Sequence, residues 1–142
     1  MTQAEKLLLV ALFGHVALVF ILAAAMAVAR VGAARRREVK IADVALASTA
    51  WPERVRKIGN NYNNQFELPV LLHVGILLTL VTHAADMALA GLALGFVALR
   101  LGHSAVHLGH NNVVHRFYVF GAGVFTLLGF WLWLGVRLFV TG

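Results

Sequence analysis

From residue 7 to residue 29 the chain is apolar apart from His15, and a run of that kind leaves few folds open. As a helix rising about 1.5 Å per residue, it is long enough to cross the roughly 30 Å hydrocarbon core of a bilayer. The small residues Ala23, Ala24 and Ala25 resemble a signal-peptide cleavage site. A secretory h-region is only about 7–15 residues long, however, and this run is longer and ends in arginines, so it is read as a retained helix.

Three more apolar runs follow. One goes from Phe66 to about Val81, helical from about Glu53 if its polar lead-in is counted. The polar turn at residues 82–86 separates it from a run over residues 87–101, which continues as a polar helix to about His110. The last covers residues 117–140, with Trp131 and Trp133 near its outer end. Hydrophobic residues make up 61% of the 142 and charged residues 13%. An average soluble domain has roughly 45–50% and 25%. A surface so poor in charge does not keep a small globule in solution. These features predict an all-α integral membrane protein, a bundle of four transmembrane helices in one domain over residues 1–142. The expected spans are about 7–29, 64–82, 86–106 and 116–140, with a cytoplasmic loop over 30–63.

Charge orients the bundle. Twelve Lys and Arg against six Asp and Glu give +6. In a soluble chain that excess would suggest nucleic acid, but in a membrane protein it marks cytoplasmic loops, and no nucleic-acid partner is expected. Eight of the twelve basic residues are Arg30, Arg35, Arg36, Arg37, Lys40, Arg54, Arg56 and Lys57, all within residues 30–63. That loop and the one at 111–116 are therefore placed in the cytoplasm, with both termini and the 82–86 turn opposite. Residues 42–50 suit a short interfacial helix, punctuated by Trp51 and Pro52. Gly91 and Gly95 form a G-x-x-x-G step that can bring helices close. The absence of cysteine excludes thiolate metal sites, disulfides and cysteine nucleophiles.

Ionisable groups at membrane depth are costly, so each is a candidate for function. Asn60, Asn64 and Glu67 share one helical face. A carboxylate flanked by amides can accept a ligand ammonium or hold Arg100 in a buried salt bridge, and both readings stay open. On helix three Arg100, His103, Ser104, His107, His110 and Asn111 fall within roughly 120° of arc at about 100° per residue. Leu101, Ala105 and Leu108 point elsewhere, so the polar stripe is expected to face the bundle interior or a water-filled site. Arg116 opens helix four, where a cation opposes the macrodipole. An anionic ligand or lipid phosphate would explain it. A metal or haem site from His103, His107, His110 and His115 is a further reading, since imidazoles at such spacing can share an ion.

Together these residues resemble the MAPEG family, the membrane-associated proteins of eicosanoid and glutathione metabolism. Asn64-x-x-Glu67, followed by Pro69, resembles its helix-two signature. Arg100-x-x-His103-Ser104-x-x-His107-Leu108-Gly109, with Arg116 further on, is similar to helix three and the start of helix four in the prostaglandin-synthase branch. The chain thus resembles a bacterial-type member related to microsomal glutathione transferase and prostaglandin E synthase. The resemblance implies a homotrimer in the inner membrane of a bacterium. It implies glutathione as co-substrate in a pocket between subunits, and lipophilic small molecules as second substrates. Asn64 and Glu67 would hold the glutathione backbone, Arg100, His103 and His107 would line the pocket, and Arg116 would stabilise the thiolate. The implied activity is a glutathione-dependent transferase or peroxidase acting on lipophilic electrophiles. The alternative is a non-catalytic relative that binds lipid or protein. Asn60 stands where the family usually has arginine, and His107 where it often has tyrosine.

Overall fold

The computed structural model describes residues 1–109 and 112–140, which form six α-helices and no strand. Helix α1 (Gln3–Arg35) starts in a capping box. The Thr2 hydroxyl accepts from the Glu5 amide at 3.2 Å, and the Glu5 carboxylate accepts from the Thr2 amide at 2.7 Å. After it come a short α2 (Ile41–Leu46) and a 3-10 turn, then α3 (Glu53–Asn63) and α4 (Leu68–Val81). Helices α5 (Met87–Leu108) and α6 (Val113–Phe139) complete the chain.

Four segments are long and apolar enough to span a membrane: α1, α3 with α4, α5 and α6. At most 44% of any of their apolar windows is buried. Val10, Phe13, Phe20, Val74, Leu77, Phe125, Leu132 and Phe139 point outward all round the bundle. Such a surface is stable against lipid and not against water. The chain is an integral membrane protein.

Helix ends differ from the runs of apolar residues because backbone capping, not hydropathy, sets them. Helix α1 continues past Ala29 to Arg35. About two thirds of the expected 30–63 loop is helical, in α1, α2 and α3. Helix α6 begins at Val113, ahead of the expected 116, because the Asn112 side chain accepts from the amides of Val114 (2.9 Å) and His115 (3.2 Å). Asp86 caps α5 through the Leu89 amide at 2.8 Å. The same carboxylate accepts from Trp133 Nε1 at 2.8 Å and pairs with Arg137, tying the end of α6 to the start of α5.

The span between α3 and α4 is broken, and Pro69 explains where. Proline offers no N–H to the carbonyl four residues back, and its ring clashes with that carbonyl, here of Gln65. Helix α3 accordingly ends at Asn63, Asn64–Phe66 form a 3-10 turn, and Glu67 (φ −92°, ψ −106°) redirects the chain. Helix α4 restarts at Leu68 with Pro69 in its first turn, where the missing donor is harmless.

Helix α5 is the centre of the bundle, packed mainly on α6 and α1. Leu8, Leu72, Ile76, Leu89, Phe96, Phe130 and Leu134 form the dry core, each at most 1% exposed. The close helix approach is not at the G-x-x-x-G step. A Cβ on Gly91 would meet nothing within 4 Å, and one on Gly95 would reach Thr126 at 3.8 Å. Gly75 of α4 is the tight position, with the Phe130 ring seated against its backbone.

On the loop side, Glu38 accepts hydrogen bonds from Arg54 and from Arg36 Nε, the latter at 2.8 Å. These bonds, Arg54's first, hold its carboxyl down to about 2. A carboxylate depressed in the folded state contributes above its ordinary value, so this clasp is intact at neutral pH and opens only as the pH falls towards 2. Arg30 lies over the Trp51 ring at 5.4 Å, fastening the same loop to α1.

Candidate functional site

The polar stripe of α5 turns inward. Arg100, His103, Ser104 and His107 are 3–4% exposed, while Leu101 and Leu108 are 49% and 41% exposed on the outside. His110 and Asn111 lie outside the described residues.

Beside the lower half of this stripe is a pocket of about 510 Å³. Asn60, Asn63, Asn64 and Glu67 line it from α3 and the bend, His103 and His107 from α5, and Val113, Arg116, Phe117 and Phe120 from α6. Its volume lies within the roughly 300–1,000 Å³ of small-molecule sites. The structure thus brings together Asn64, Glu67, His103, His107 and Arg116 from helices far apart in sequence. Glu67 is exposed towards the pocket and makes no salt bridge among the described residues. Of the two readings left open for Glu67, the salt bridge with Arg100 is not formed. The His103 and His107 rings meet edge to face at 5.9 Å, and Nδ1 of each is buried without a hydrogen-bond partner. Apart from Arg116 the wall from α6 is apolar, with Phe117 69% exposed.

Arg100 does not line this pocket. Its guanidinium donates from Nη2 to the backbone carbonyl of Asn64, and from Nε and Nη2 to Gln65 Oε1 at 3.4 Å. The break before Pro69 explains this destination. It strips carbonyls at the end of α3 of their helical donors, inside a membrane that supplies no water. A cation at a helix C-terminus also complements the macrodipole. Arg100 therefore caps the broken helix.

Hydropathy reasoning missed the residues around it. Gln65 is 1% exposed and Asn61 and His15 are 0% exposed. Gln65 Nε2 donates to the Asn61 carbonyl at 2.9 Å and lies 3.2–3.3 Å from Asn61 Oδ1 and Ser104 Oγ. Ser104 donates to Asn61 Oδ1 at 3.1 Å. His15 Nε2 lies 3.2 Å from Gln65 Oε1, and His73 Nε2 lies 3.1 Å from His15 Nδ1. The signal available in the sequence was His15 itself, the one ionisable group in an apolar span.

Among the described residues no three His, Asp or Glu side chains converge as metal ligands do. His115, part of the imagined imidazole cluster, is exposed on α6.

The arrangement can do three things. A carboxylate among side-chain amides holds an ammonium and peptide groups, a guanidinium stabilises an anion, and an apolar wall receives a lipophilic molecule. The MAPEG family model matches residues 8–136. No curated protein and no solved structure gives a significant match. With nine-tenths of its length matched, the chain belongs to the MAPEG family, whose members are membrane proteins of glutathione-related transferase and peroxidase chemistry.

Proposed function

We propose that the chain is a glutathione-dependent transferase or peroxidase acting on lipophilic electrophiles. The observation that carries the reading is the convergence of Glu67, Asn64 and Arg116 on one open pocket walled by Phe117 and Phe120. Glutathione supplies a thiol nucleophile. Glu67 suits its ammonium, Asn64 its peptide groups, and Arg116 its sulfur, since a cation that stays charged in a partly dry site favours thiolate over thiol. His103 and His107 line the same pocket, where imidazole nitrogens can hydrogen-bond a polar ligand. Phe117 and Phe120 offer the lipid-facing approach for the second substrate. The test is conjugation of a generic lipophilic electrophile by detergent-purified protein, together with direct glutathione binding. A protein that binds glutathione and turns over nothing would favour a non-catalytic lipid- or protein-binding role instead.

The described residues that line the pocket in one subunit include a single Arg or Lys. Asn60 and Asn63 are neutral, and Arg116 is the one guanidinium among the described lining residues. Glutathione carries two carboxylates besides its thiol. A pocket completed by an adjacent subunit resolves the shortfall, and we assign a homotrimer on the family's pattern. Mass measurement in mild detergent is expected to give three copies. A monomer with full glutathione affinity would overturn the shared pocket. The basic loop supports a pocket that opens towards the cytoplasm, and the bacterial inner membrane is assigned on the family resemblance.

His107 provides a separate check. An imidazole can donate a hydrogen bond to the sulfur as a phenol can. His107→Tyr is expected to keep most of the turnover, and His107→Phe, which removes the donor, to lower it about tenfold. Equal turnover in wild type and His107→Phe would place His107 outside the reaction.

A further inference from the structure

We infer that Gln65 and His15 are positioning residues that hold the bend presenting Asn64 and Glu67 to the pocket. Neither side chain lines the pocket. The inference is about how the site is built, and it rests on the glutathione reading only for its ligand measurement.

The bend is a place where the fold has to supply its own hydrogen bonds. Pro69 removes the helical donor for the Gln65 carbonyl, and the break leaves carbonyls at the end of α3 facing a water-poor interior. The substitutes come from side chains. Gln65 Nε2 serves the Asn61 carbonyl at 2.9 Å, and Arg100 serves that of Asn64. Gln65 is the junction, because its amide joins the bend to α1, α3 and α5 together.

The contacts also fix a direction through the chain. The Gln65 nitrogen must face the Asn61 carbonyl, since a carbonyl only accepts. Gln65 Oε1 is then turned towards Arg100 and His15, and both must donate to it. His15 therefore carries its proton on Nε2. If neutral, it accepts at Nδ1, and His73 Nε2 donates there at 3.1 Å. One proton order, from α4 through α1 to the bend, satisfies His73 Nε2, both nitrogens of His15 and the Gln65 amide. Replacing His15 by an apolar residue breaks that order at its centre. Gln65 Oε1 loses its His15 donor and keeps only the longer bonds from Arg100, at 3.4 Å, so the amide is held less firmly against the Asn61 carbonyl.

Glu67 follows Gln65 by two residues across a 3-10 turn with no helix to stiffen it. Freedom at Gln65 is thus passed directly to the carboxylate and to the Asn64 side chain. The spread of the network over residues 15, 61, 65, 73, 100 and 104 makes the bend a product of four helices, α1, α3, α4 and α5.

The experiment uses the full chain in detergent, with Gln65→Leu, His15→Leu and His15→Gln. His15→Gln keeps an N–H donor at nearly the same reach as imidazole Nε2. Amide hydrogen exchange without ligand is the first readout. Exchange at residues 64–68 is expected to quicken about tenfold in both Leu variants and to stay near wild type in His15→Gln, with α5 and α6 unaffected. Glutathione affinity is the second, expected to weaken about tenfold in the Leu variants and less than about threefold in His15→Gln. If the Leu variants do not assemble, Ser104→Ala removes one contact to Gln65 without adding bulk, and a smaller change confined to the bend is expected. Unchanged exchange at the bend overturns the inference. So does quickening spread evenly over all helices, or a His15→Gln as impaired as His15→Leu. Wild-type protein that fails to bind glutathione overturns the proposed function instead, and the exchange pattern still decides the positioning role.

Discussion

Replacing Arg116 by alanine is expected to lower glutathione-dependent turnover about a hundredfold while leaving the assembled protein intact. A free thiol has a pKa of about 8.5, so little of it is thiolate at neutral pH. Bringing it to about 6.5 takes about 2.7 kcal/mol of stabilisation of the anion over the thiol. A unit charge 4 Å away at an effective dielectric near 20 supplies about 4 kcal/mol, so one guanidinium suffices in a partly dry pocket. No second Lys or Arg among the described lining residues stands in for it. Glutathione affinity is expected to fall less, because Asn64 and Glu67 still engage the peptide. Arg116→Lys should recover part of the rate, as a charge without the planar fork. Turnover measured per correctly assembled protein separates this role from an anchor for lipid phosphate. An anchor predicts lower stability in the membrane and an unchanged rate, and that result would end the catalytic assignment.

The second large effect concerns Gly75. A Cβ there would lie 2.5 Å from Phe130 Cε1, closer than real carbon contacts allow. The obstacle is a rigid ring with no exposed surface, so it cannot swing aside as the tip of a lysine would. Helices α4 and α6 must separate, and Gly75→Ala is expected to cost about 1–3 kcal/mol. Gly75→Leu should cost more and loosen α4, which carries the bend at its start. The comparison is Gly91→Ala, where an added methyl meets nothing within 4 Å. There the change is expected to be neutral or to stabilise by up to about 1 kcal/mol, because glycine weakens a helix interior. Thermal or denaturant unfolding in one detergent checks both. Equal effects at the two glycines would mean that the α4–α6 contact does not limit stability.

These two positions illustrate how differently parts of the molecule can be read from sequence. Gly91 and Gly95 carry a motif for close helix packing, yet neither is in tight contact within the subunit. Gly75 carries no motif and takes the closest approach. A local pattern reports spacing along one helix, and the position of Phe130 on another helix decides which glycine has a ring against it.

What the amino-acid sequence determined by itself is the set of properties that depend on neighbours three or four residues apart, or on transfer between water and lipid. Apolar runs define four helices that a bilayer can hold. The 3.6-residue period puts Arg100, His103, Ser104 and His107 on one face, and the structure turns that face inward. Pro69 dictates a break before it. The tertiary structure alone decided where the buried groups aim. Arg100 shares a stripe with His103 and His107, but its long side chain reaches the Asn64 carbonyl and Gln65 instead of the pocket. Gln65 looks unremarkable between Asn64 and Phe66, and it becomes the hydrogen-bond junction only because His15 and Ser104 arrive from distant helices. Periodicity assigns a residue to a face, whereas a hydrogen bond depends on partners within about 3 Å, and helix packing alone brings such partners together.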